Sequence, residues 1–405
     1  MRNSIFATFF LLPLLSCGEP ANVRNAARDQ IAAGVRAVKA RFGPDNRTDR
    51  ITADYAEGAG GCDRWTVRSS VAAARPALDS LFAALPAGYC HEFTGTRLLS
   101  YADSTRSHAL VRVSVANLRT RPGHSEELTT QATLGTPLEL LDRRDHWWLV
   151  RSPDRYIAWV AEGEVSPLGR AELAAWLDGP LRRYLAAHGT AGSGPTGGGA
   201  VTELVAGNLV RATGQQSGGR AEIELPDGHR GWVAANELGD YAEWARGGRP
   251  GAADLLATAR TLGGVPYLWG GTSGKAVDCS GFTKMAYFLN GWVIPRDASQ
   301  QVLAGTAVAL DDSLGQLAPG DLLFFGNHRA DGSERTTHVG FYLGGGRMLH
   351  AGADNGRVAE NSLRPGEPDY AAHRRKSLLR ARRLAPGSAG VVPVATAFTR
   401  LHKPD

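Results

Sequence analysis

The residues of this chain best suited to catalysis are a cysteine and two histidines that follow it in the sequence. The run Asp278-Cys279-Ser280-Gly281-Phe282 precedes an apolar helical pattern, and His338 and His350 each lie at the edge of an apolar run. A thiol is a strong nucleophile as the thiolate, and a neighbouring imidazole can take its proton at neutral pH. A second polar group then orients that imidazole. The pattern predicts Cys279 as nucleophile, His338 as base and His350 as the orienting group.

The residues around Cys279 predict a helix that starts at the thiol. Thr283 to Leu289 has the apolar spacing of a helix. Asp278 or Ser280 could cap its amino end. Free backbone N–H groups at that end favour a thiolate and can later hold an oxyanion.

The two histidines are predicted to meet across a β-hairpin. Thr337 to Gly344 indicates a strand with His338 near its start, and Met348 to Ala351 indicates a returning strand that contains His350. Three glycines, Gly344 to Gly346, form the turn between them. The hairpin would place the imidazoles side by side, which is the arrangement that a cysteine peptidase needs.

At these residues the sequence resembles the NlpC family of papain-like bacterial cell-wall cysteine peptidases. The resemblance covers roughly residues 250–385 and implies Cys279 as nucleophile, His338 as base and His350 as the third, orienting member, with no cofactor. The blocks that carry it occur in family order: Pro266-Tyr267-Leu268-Trp269-Gly270-Gly271, Asp278-Cys279-Ser280-Gly281, Pro295-Arg296 followed by Gln300 or Gln301, Pro319-Gly320-Asp321-Leu322-Leu323-Phe324-Phe325, His338-Val339-Gly340-Phe341-Tyr342-Leu343-Gly344 and Met348-Leu349-His350-Ala351.

The same resemblance implies an oxyanion hole and a substrate pocket. It gives Tyr267 the task of donating its hydroxyl to the oxyanion beside the N–H of Cys279. Asp278 and Ser280 are implied to line the pocket for the residue that precedes the scissile bond. Trp269 and Arg296 are also assigned to substrate binding.

An internal repeat upstream predicts two small β-barrels. Residues 152–161 parallel residues 225–234, because both contain a Pro-Asp turn followed by a Trp-Val-Ala strand. Short strands joined by polar turns are typical of small barrels. The barrels resemble bacterial SH3-like domains, the first most clearly through residues 117–123. Between the two cores, residues 170–183 have a helical pattern, and the Gly-rich residues 189–199 predict a flexible loop.

The barrels have two alternative roles. Wall binding is the common expectation for barrels that flank a hydrolase. In close relatives with this architecture, however, the first barrel closes one end of the catalytic cleft, and the resemblance then assigns Glu127 and Tyr156 to the free amine of the substrate. The alignment of Glu127-Leu128 favours Glu127 over Glu126. A buried ammonium needs a carboxylate partner, and Glu127 with Asp278 could hold it.

The amino terminus predicts export. Arg2 is followed by an apolar stretch from Ile5 to Leu15, which is too short for a transmembrane helix. The run Leu14-Leu15-Ser16-Cys17 resembles the bacterial lipobox, which implies cleavage before Cys17 and a lipid on that residue. The alternative is an ordinary secretion signal. The expected location is the bacterial cell envelope, lipid-anchored to a membrane and facing the periplasm.

The number of cysteines and the net charge indicate a disulfide and argue against a metal or a nucleic-acid partner. With Cys17 lipidated and Cys279 catalytic, Cys62 and Cys90 remain of the four cysteines, and a disulfide between them fits an exported protein. No Cys-x-x-Cys or Cys/His spacing suited to a metal occurs, so no metal is predicted. The net charge of +5 comes without a nucleic-acid motif, so no nucleic-acid partner is expected. The oligomeric state stays open, with a monomer favoured.

These patterns together predict an α+β papain-like catalytic domain preceded by two small SH3-like β-barrels and a small N-terminal α/β unit. In that unit, helices are expected at residues 22–42 and 72–85. The predicted domains are a lipoprotein signal peptide at 1–17, the small α/β domain at 18–100, the first SH3-like barrel at 101–166, the second with its helical insert at 167–245, the NlpC-type cysteine peptidase domain at 246–385 and a C-terminal tail at 386–405.

The expected function is hydrolysis of murein stem peptides. The bond would be the one between γ-D-glutamate and a diamino acid, typically meso-diaminopimelate, in peptides with a free N-terminal L-alanine. One alternative is a murein amidase or acyltransferase with the same triad. Another is a non-catalytic wall-binding lipoprotein, which the intact Cys279, His338 and His350 argue against.

Overall fold

The computed structural model describes residues 21–101, 105–248 and 251–402 of the 405-residue chain. The chain divides between Leu99 and Ser100 into two compact units. The elements of the first unit are α1 (Ala21–Phe42), β1 (Ile51–Glu57), β2 (Asp63–Ser69), α2 (Arg75–Ala83), β3 (His91–Glu92) and β4 (Arg97–Leu98). The helix predicted at residues 22–42 is confirmed as α1, and the one predicted at 72–85 contains α2.

The first unit is a small four-stranded sheet covered by helices. Its order is β1-β2-β3, with β4 also paired to β2; β1 is antiparallel to β2, and the two short strands are parallel to it. Alternate side chains of β2, including Trp65 and Val67, are buried with Ile31 of α1 and Leu78 of α2. This alternation is the period-two pattern of a strand with one buried face. A disulfide joins Cys62 to Cys90.

The second unit begins with a seven-stranded antiparallel sheet, called here the first sheet. Its spatial order is β11-β5-β8-β9-β10-β6-β7. Ala158 and Val160 of the Trp-Val-Ala strand, β10, lie in its core. The strands are β5 (His108–Val111), β6 (Val115–Arg119), β7 (Leu128–Thr133), β8 (Pro137–Arg144), β9 (Trp147–Arg151), β10 (Ile157–Ala161) and β11 (Val165–Leu168).

A second seven-stranded antiparallel sheet, called here the second sheet, follows a short helix. Its order is β14-β13-β17-β16-β15-β12-β18. The elements are α3 (Arg170–Leu177), β12 (Leu181–Tyr184), β13 (His188–Gly194), β14 (Gly197–Val205), β15 (Leu209–Ser217), β16 (Arg220–Glu224), β17 (Arg230–Ala234), β18 (Leu238–Asp240) and α4 (Tyr241–Ala245).

Two expectations for this region are wrong. The helical pattern at 170–183 ends at Leu177, because Gly179 and Pro180 cannot continue a helix favourably, and the rest forms β12. The Gly-rich stretch at 189–199 is not a loop but the hairpin of β13 and β14. Ladder hydrogen bonds need only backbone groups, and Gly197, with φ of +111°, supplies the turn conformation that other residues avoid.

The remainder of the second unit is built on a six-stranded antiparallel sheet, called here the C-terminal sheet, with the order β22-β27-β23-β24-β25-β26. Its apolar face packs against α5 and α6. The elements are α5 (Ala252–Thr261), β19 (Thr272–Ser273), β20 (Ala276–Val277), α6 (Cys279–Leu289), β21 (Trp292–Val293), α7 (Ala298–Gln301), β22 (Thr306–Val308), β23 (Leu322–His328), β24 (Glu334–Gly344), β25 (Arg347–Gly352), β26 (Arg357–Ser362), α8 (Ala372–Ser377), β27 (Leu378–Arg383), β28 (Val392–Pro393) and α9 (Val394–His402).

The stretch expected to be a tail contains ordered elements. β28 pairs with β21 beside α6, and α9 buries Val394, Ala397 and Phe398. In the described part of the chain, none of the helices combines the length and the apolar character that crossing a bilayer requires.

Candidate active site

Cys279 is the first residue of α6, as its sequence context predicted. Asp278 is the N-cap, and its carboxylate accepts the N–H of Gly281 at 2.7 Å. The cysteine carries a free, buried thiol. At this position a helix leaves its N–H groups without intrahelical partners, so the N–H of Cys279 is suited to stabilise an oxyanion.

The β24–β25 hairpin brings His338 and His350 together. Nε2 of His338 lies 2.8 Å from Nδ1 of His350, with the two rings nearly perpendicular at 89°. Gly340 makes this approach possible, because a Cβ added there would come within 2.8 Å of the Cβ of His350. The hairpin that the glycine-rich turn predicted is therefore confirmed, and it joins the two imidazoles directly.

The thiol of Cys279 lies against the strand that carries His338. The backbone N–H groups of Val339 and Ser280 are near enough to its sulfur to oppose the rise in its pKa. Val339 directly follows His338, and Nδ1 is the imidazole nitrogen nearer to the backbone. Since Nε2 of His338 is engaged by His350, Nδ1 is the nitrogen suited to exchange a proton with the thiol.

Burial determines the protonation states of Cys279, His338 and His350. Desolvation, reinforced by the charge of Asp278, raises the pKa of the Cys279 thiol to about 12. Desolvation also lowers the pKa of His338 well below its ordinary value, and lowers that of His350 to about 4. The surroundings therefore favour a neutral thiol beside a neutral imidazole. A thiolate has to form by proton transfer to His338 rather than through a low intrinsic pKa of the thiol.

His350 contacts two asparagines that sequence reasoning did not single out. Its Nε2 lies 2.9 Å from Oδ1 of Asn361 and 3.2 Å from Nδ2 of Asn355. In the β25–β26 register His350 faces Ala359, so Asn361 is its diagonal neighbour on the same face of the sheet. No sequence signal marked Asn361, because its place beside His350 depends on the β25–β26 register.

The Tyr267 hydroxyl lies in the electrostatic environment of the nucleophile. Partial burial, with the nearby Cys279 and Asp278, raises the pKa of Tyr267 to about 12. The phenol therefore stays protonated at neutral pH and can donate a hydrogen bond to an oxyanion. Two residues later Trp269 is 62% exposed, so its indole is accessible at the same loop.

Asp278 is fully engaged by a buried arginine. Arg296 is 1% exposed and donates from Nη1 to Asp278 Oδ1 at 3.0 Å and from Nη2 to Oδ2 at 2.6 Å. It also donates to Ser280 Oγ at 2.9 Å and, through Nε, to Thr130 Oγ1 at 2.9 Å. The Asp278 carboxylate further accepts the N–H of Gly270.

This network changes two expectations. Arg296 was expected to bind substrate, but its guanidinium is buried and instead holds the side chains of Asp278 and Ser280 by hydrogen bonds. Asp278 was expected to share an ammonium with Glu127, but its charge is already balanced by Arg296. A bidentate buried pair of this kind orients its members strongly and leaves little capacity for a further cation.

Glu127 and Tyr156, the two residues assigned to the free amine of the substrate, both connect the first sheet to the peptidase. Oε1 of Glu127 accepts the indole N–H of Trp269 at 2.8 Å. The Tyr156 hydroxyl donates to Oδ2 of Asp297 at 3.4 Å, and Asp297 directly follows Arg296. Gly270, with φ of +79°, packs so closely on Leu128 that any Cβ would overlap the backbone of that residue. Asp297 was not among the sequence candidates, because no local pattern marked it.

An ion pair also links the first sheet to α6. Asp154 Oδ2 lies 2.6 Å from Nζ of Lys284, with side-chain exposures of 1% and 14%. Burial opposes the charge of Asp154, but Lys284 overcomes it and holds the pKa of the carboxyl below its ordinary value. The helix that begins at Cys279 is thus tied to the segment that carries Tyr156.

The remaining candidates lie away from this cluster. Cys62 and Cys90 belong to the first unit, where they form the disulfide. Cys17, the predicted lipidation site, lies outside the described residues. Among the residues that the structure describes, no group of three or more His, Cys, Asp or Glu side chains is arranged to hold a metal ion.

Comparison with known families places both parts of the site. The model of the NlpC/P60 family matches residues 264–375, which include Tyr267, Cys279 and both histidines. The model of the bacterial dipeptidyl-peptidase SH3 domain matches residues 118–164, which include Glu127 and Tyr156.

Individual relatives agree with these matches. A gamma-D-glutamyl-L-lysine dipeptidyl-peptidase of Bacillus subtilis is 48% identical over 100 residues, which are 25% of this chain and 32% of that protein. The protein of the same name from Bacillus cereus is 39% identical over 32% of this chain and 37% of its own length. The matched part of this chain thus spans about a third of each of these two relatives. Dipeptidyl-peptidase 6 of Lysinibacillus sphaericus is 26% identical over 65% of this chain and 94% of that protein.

A solved structure extends the likeness to the fold. The crystal structure of an NlpC/P60 family protein from Bacillus cereus aligns with a TM-score of 0.57 and 26% identity, covering 69% of this chain and all of that one. Together with the geometry around Cys279, the matches give a conclusion about the second unit. It carries an NlpC/P60 cysteine peptidase domain at residues 264–375, preceded by a bacterial SH3 domain at residues 118–164.

Proposed function

We propose that the chain hydrolyses the bond between γ-D-glutamate and a diamino acid, typically meso-diaminopimelate, in peptides already released from murein. The observation that carries the proposal is the contact of two residues flanking strands of the first sheet, Glu127 and Tyr156, with Trp269 and Asp297 of the peptidase. The names of the two Bacillus relatives support a γ-D-glutamyl bond. Their named substrate contains lysine, whereas the diamino acid proposed here is meso-diaminopimelate.

The proposed reaction proceeds through an acyl-enzyme. As His338 takes the thiol proton, the sulfur of Cys279 attacks the γ-carbonyl carbon, and the oxyanion is held by the N–H of Cys279 and the hydroxyl of Tyr267. The C–N bond then breaks, and His338 returns the proton to the leaving amine. Water, deprotonated by the same imidazole, attacks the thioester and releases the γ-carboxylate and the thiol.

The neutral His338 suits this sequence. An imidazole whose pKa lies well below its ordinary value is unprotonated, and so able to act as a base, across neutral pH. Transfer of the thiol proton to His338 gives a thiolate–imidazolium pair, in which the two opposite charges stabilise each other inside the buried site.

The preference for released peptides follows from the charge at the first sheet. A free L-alanine amine is a cation, and Glu127 is the acid that contacts Trp269 there. In intact murein this amine is an amide to the lactyl group of the sugar, so it is neutral and bulky. A site that presents a carboxylate to an ammonium rejects a neutral substitute, because it loses the charge-assisted contact and gains a clash.

Product analysis tests the bond and the preference together. Free tripeptide, its N-acetylated form and intact sacculi are each incubated with the protein, and the products are identified by mass spectrometry. The proposal expects cleavage between glutamate and the diamino acid in the free tripeptide and little turnover of the other two. Equal turnover of sacculi and free tripeptide would remove the amine-recognition argument and return the SH3 domain to a wall-binding role.

A variant without the charge of Glu127 tests whether this residue recognises the free amine. Glu127→Gln should raise KM for the free tripeptide by about fivefold to tenfold, the scale of one exposed charge-assisted contact, and leave the acetylated peptide unaffected. Glu126→Gln is the matched control, since it removes a neighbouring acid from the same loop, and its KM should stay at the parent value.

We also propose that the protein is anchored to the bacterial envelope by a lipid on Cys17, facing the periplasm. The proposal depends on the apolar segment from Ile5 to Leu15 and the run Leu14-Leu15-Ser16-Cys17. The Cys62–Cys90 disulfide is consistent with an oxidising compartment of this kind.

A further inference from the structure

We propose that Asn361 is a positioning residue that sets the tautomers of both histidines, so that His338 presents an unprotonated Nδ1 to Cys279. The inference deepens the proposed function, because it concerns how the same cysteine is deprotonated. It rests on the chain of hydrogen bonds that runs from the backbone of Asp369 through Asn361 and His350 to His338.

The orientation of the Asn361 amide is fixed by a backbone carbonyl. Its Nδ2 lies 3.3 Å from the carbonyl oxygen of Asp369, which can only accept a hydrogen bond. Its Oδ1 accepts from Nδ2 of Asn355 at 2.8 Å. The Asp369 contact therefore requires the amide oxygen, and not the amide nitrogen, to face His350.

The fixed amide oxygen determines which nitrogens of His350 and His338 carry protons. An acceptor 2.9 Å from Nε2 of His350 requires the proton on that nitrogen, which leaves Nδ1 of the neutral ring as an acceptor. Nδ1 then accepts from Nε2 of His338 at 2.8 Å, so the proton of His338 is also on Nε2. The unprotonated nitrogen of His338 is therefore Nδ1, the one suited to take the proton of Cys279.

In this assignment Asn355 donates to Asn361 and not to His350. Nδ2 of Asn355 lies 3.2 Å from Nε2 of His350 but 2.8 Å from Oδ1 of Asn361. If Nε2 of His350 were unprotonated, it would face the Asn361 oxygen as a second acceptor at 2.9 Å, which is repulsive. Asn355 therefore supports the Asn361 oxygen instead of competing with it.

Protonation of His350 would reverse the hydrogen bond between the two histidines. With protons on both of its nitrogens, His350 would donate to Nε2 of His338, and a neutral His338 would then carry its proton on Nδ1, where it cannot act as base. The charged groups that influence His350 are Arg374 and His373 of α8, which oppose its protonation, and Asp354 after β25, which favours it. Burial opposes it most strongly, so the working tautomer persists at neutral pH.

Two variants of Asn361 separate the oxygen from the rest of the side chain. Asn361→Asp keeps an acceptor toward His350 and loses the bond to Asp369, whereas Asn361→Leu has a similar size and no acceptor. Alkylation of Cys279 by iodoacetamide and kcat for the free tripeptide are measured between pH 4 and pH 9. We expect the leucine variant to lose roughly tenfold or more in both rates with KM nearly unchanged, the scale of lost orienting contacts behind a histidine.

The aspartate variant should behave differently. At pH 8 it should keep most of the parent rates, and its acid limb should move to higher pH, because a carboxylate favours protonated His350. Equal losses in both variants at every pH, with folding shown intact by circular dichroism, would assign Asn361 a purely structural role and overturn the proposal. Leucine substitution in a His350→Ala background should add little further loss, and a full additional loss would also count against it.

A direct measurement does not depend on the substrate. In protein labelled with ¹⁵N-histidine, nitrogen shifts at pH 8 should show both rings protonated on Nε2, with Asn361→Leu changing that of His350. A proton on Nδ1 of His338 in the parent protein would refute the inference. Failure to cleave the tripeptide, with these shifts and alkylation rates as expected, would instead refute only the proposed substrate.

Discussion

Replacing Arg296 with methionine should lower the free energy of unfolding of the second unit by about 3–5 kcal/mol. The substitution removes a guanidinium that is 1% exposed and leaves the buried Asp278 carboxylate without its counter-ion. Breaking one side of a buried pair has a cost of this size, because the remaining charge stays desolvated. The methionine fills a similar volume, so a cavity contributes little.

A surface pair of the C-terminal sheet supplies the matched control. Arg380 and Glu334 also form an ion pair, but their side chains are 55% and 26% exposed. Arg380→Met should therefore cost less than about 1 kcal/mol. The double variant Asp278→Asn with Arg296→Met should recover part of the Arg296 loss, since no buried charge is left unpaired.

Urea denaturation of the full chain at pH 7, followed by tryptophan fluorescence and by circular dichroism, provides the assay. The difference between variants is taken from midpoints at a common slope. If Arg296→Met cost no more than Arg380→Met, the buried pair would contribute nothing specific to stability. If the double variant were less stable than Arg296→Met alone, the loss would not come from the unpaired Asp278.

Three further predictions concern chemistry, pH and location. Cys279→Ala should abolish tripeptide hydrolysis with an unchanged circular dichroism spectrum, His338→Ala should be nearly as severe and His350→Ala milder. A Cys279→Ala protein that kept a tenth of the parent rate would exclude the thiol mechanism. Because the folded state holds the pKa of His350 at about 4 against an ordinary 6.5, the unfolded chain binds its proton first. The free energy of unfolding should thus fall by about 3 kcal/mol from this group as pH drops from 6.5 to 4, and His350→Gln should show a smaller fall in urea midpoints over that window. Cys17→Ser should move the protein from the membrane fraction to the soluble fraction, and identical fractionation of variant and parent would contradict the lipid anchor.

The parts of the site that sequence predicted best are those encoded by neighbouring residues. The glycines at 344–346 indicate a turn, the apolar runs on either side indicate strands, and together they place His338 beside His350. The start of α6 at Cys279 follows in the same way from Asp278 and the apolar spacing after it. Each of these signals lies within about a dozen residues.

The parts that sequence missed depend on contacts between distant segments. Arg296 meets Asp278 across 18 residues and Thr130 across 166, and no local pattern distinguishes a buried guanidinium from an exposed one. Asn361 required the β25–β26 register to be known. The Gly-rich hairpin of β13 and β14 was missed because composition reports backbone freedom in the unfolded chain, whereas ladder hydrogen bonds decide the folded state.

The bond from Arg296 to Thr130 bears on how this architecture can evolve. Nε of the buried guanidinium belongs to the peptidase, but its acceptor belongs to the SH3 domain. Recombination that exchanged the SH3 domain for an unrelated one would leave that N–H without an acceptor near the nucleophile. It would also remove Asp154, the ion-pair partner of Lys284. The two domains should therefore be inherited as a pair, and compensating substitutions at 130 and 296, or at 154 and 284, should accompany any lineage in which they were separated.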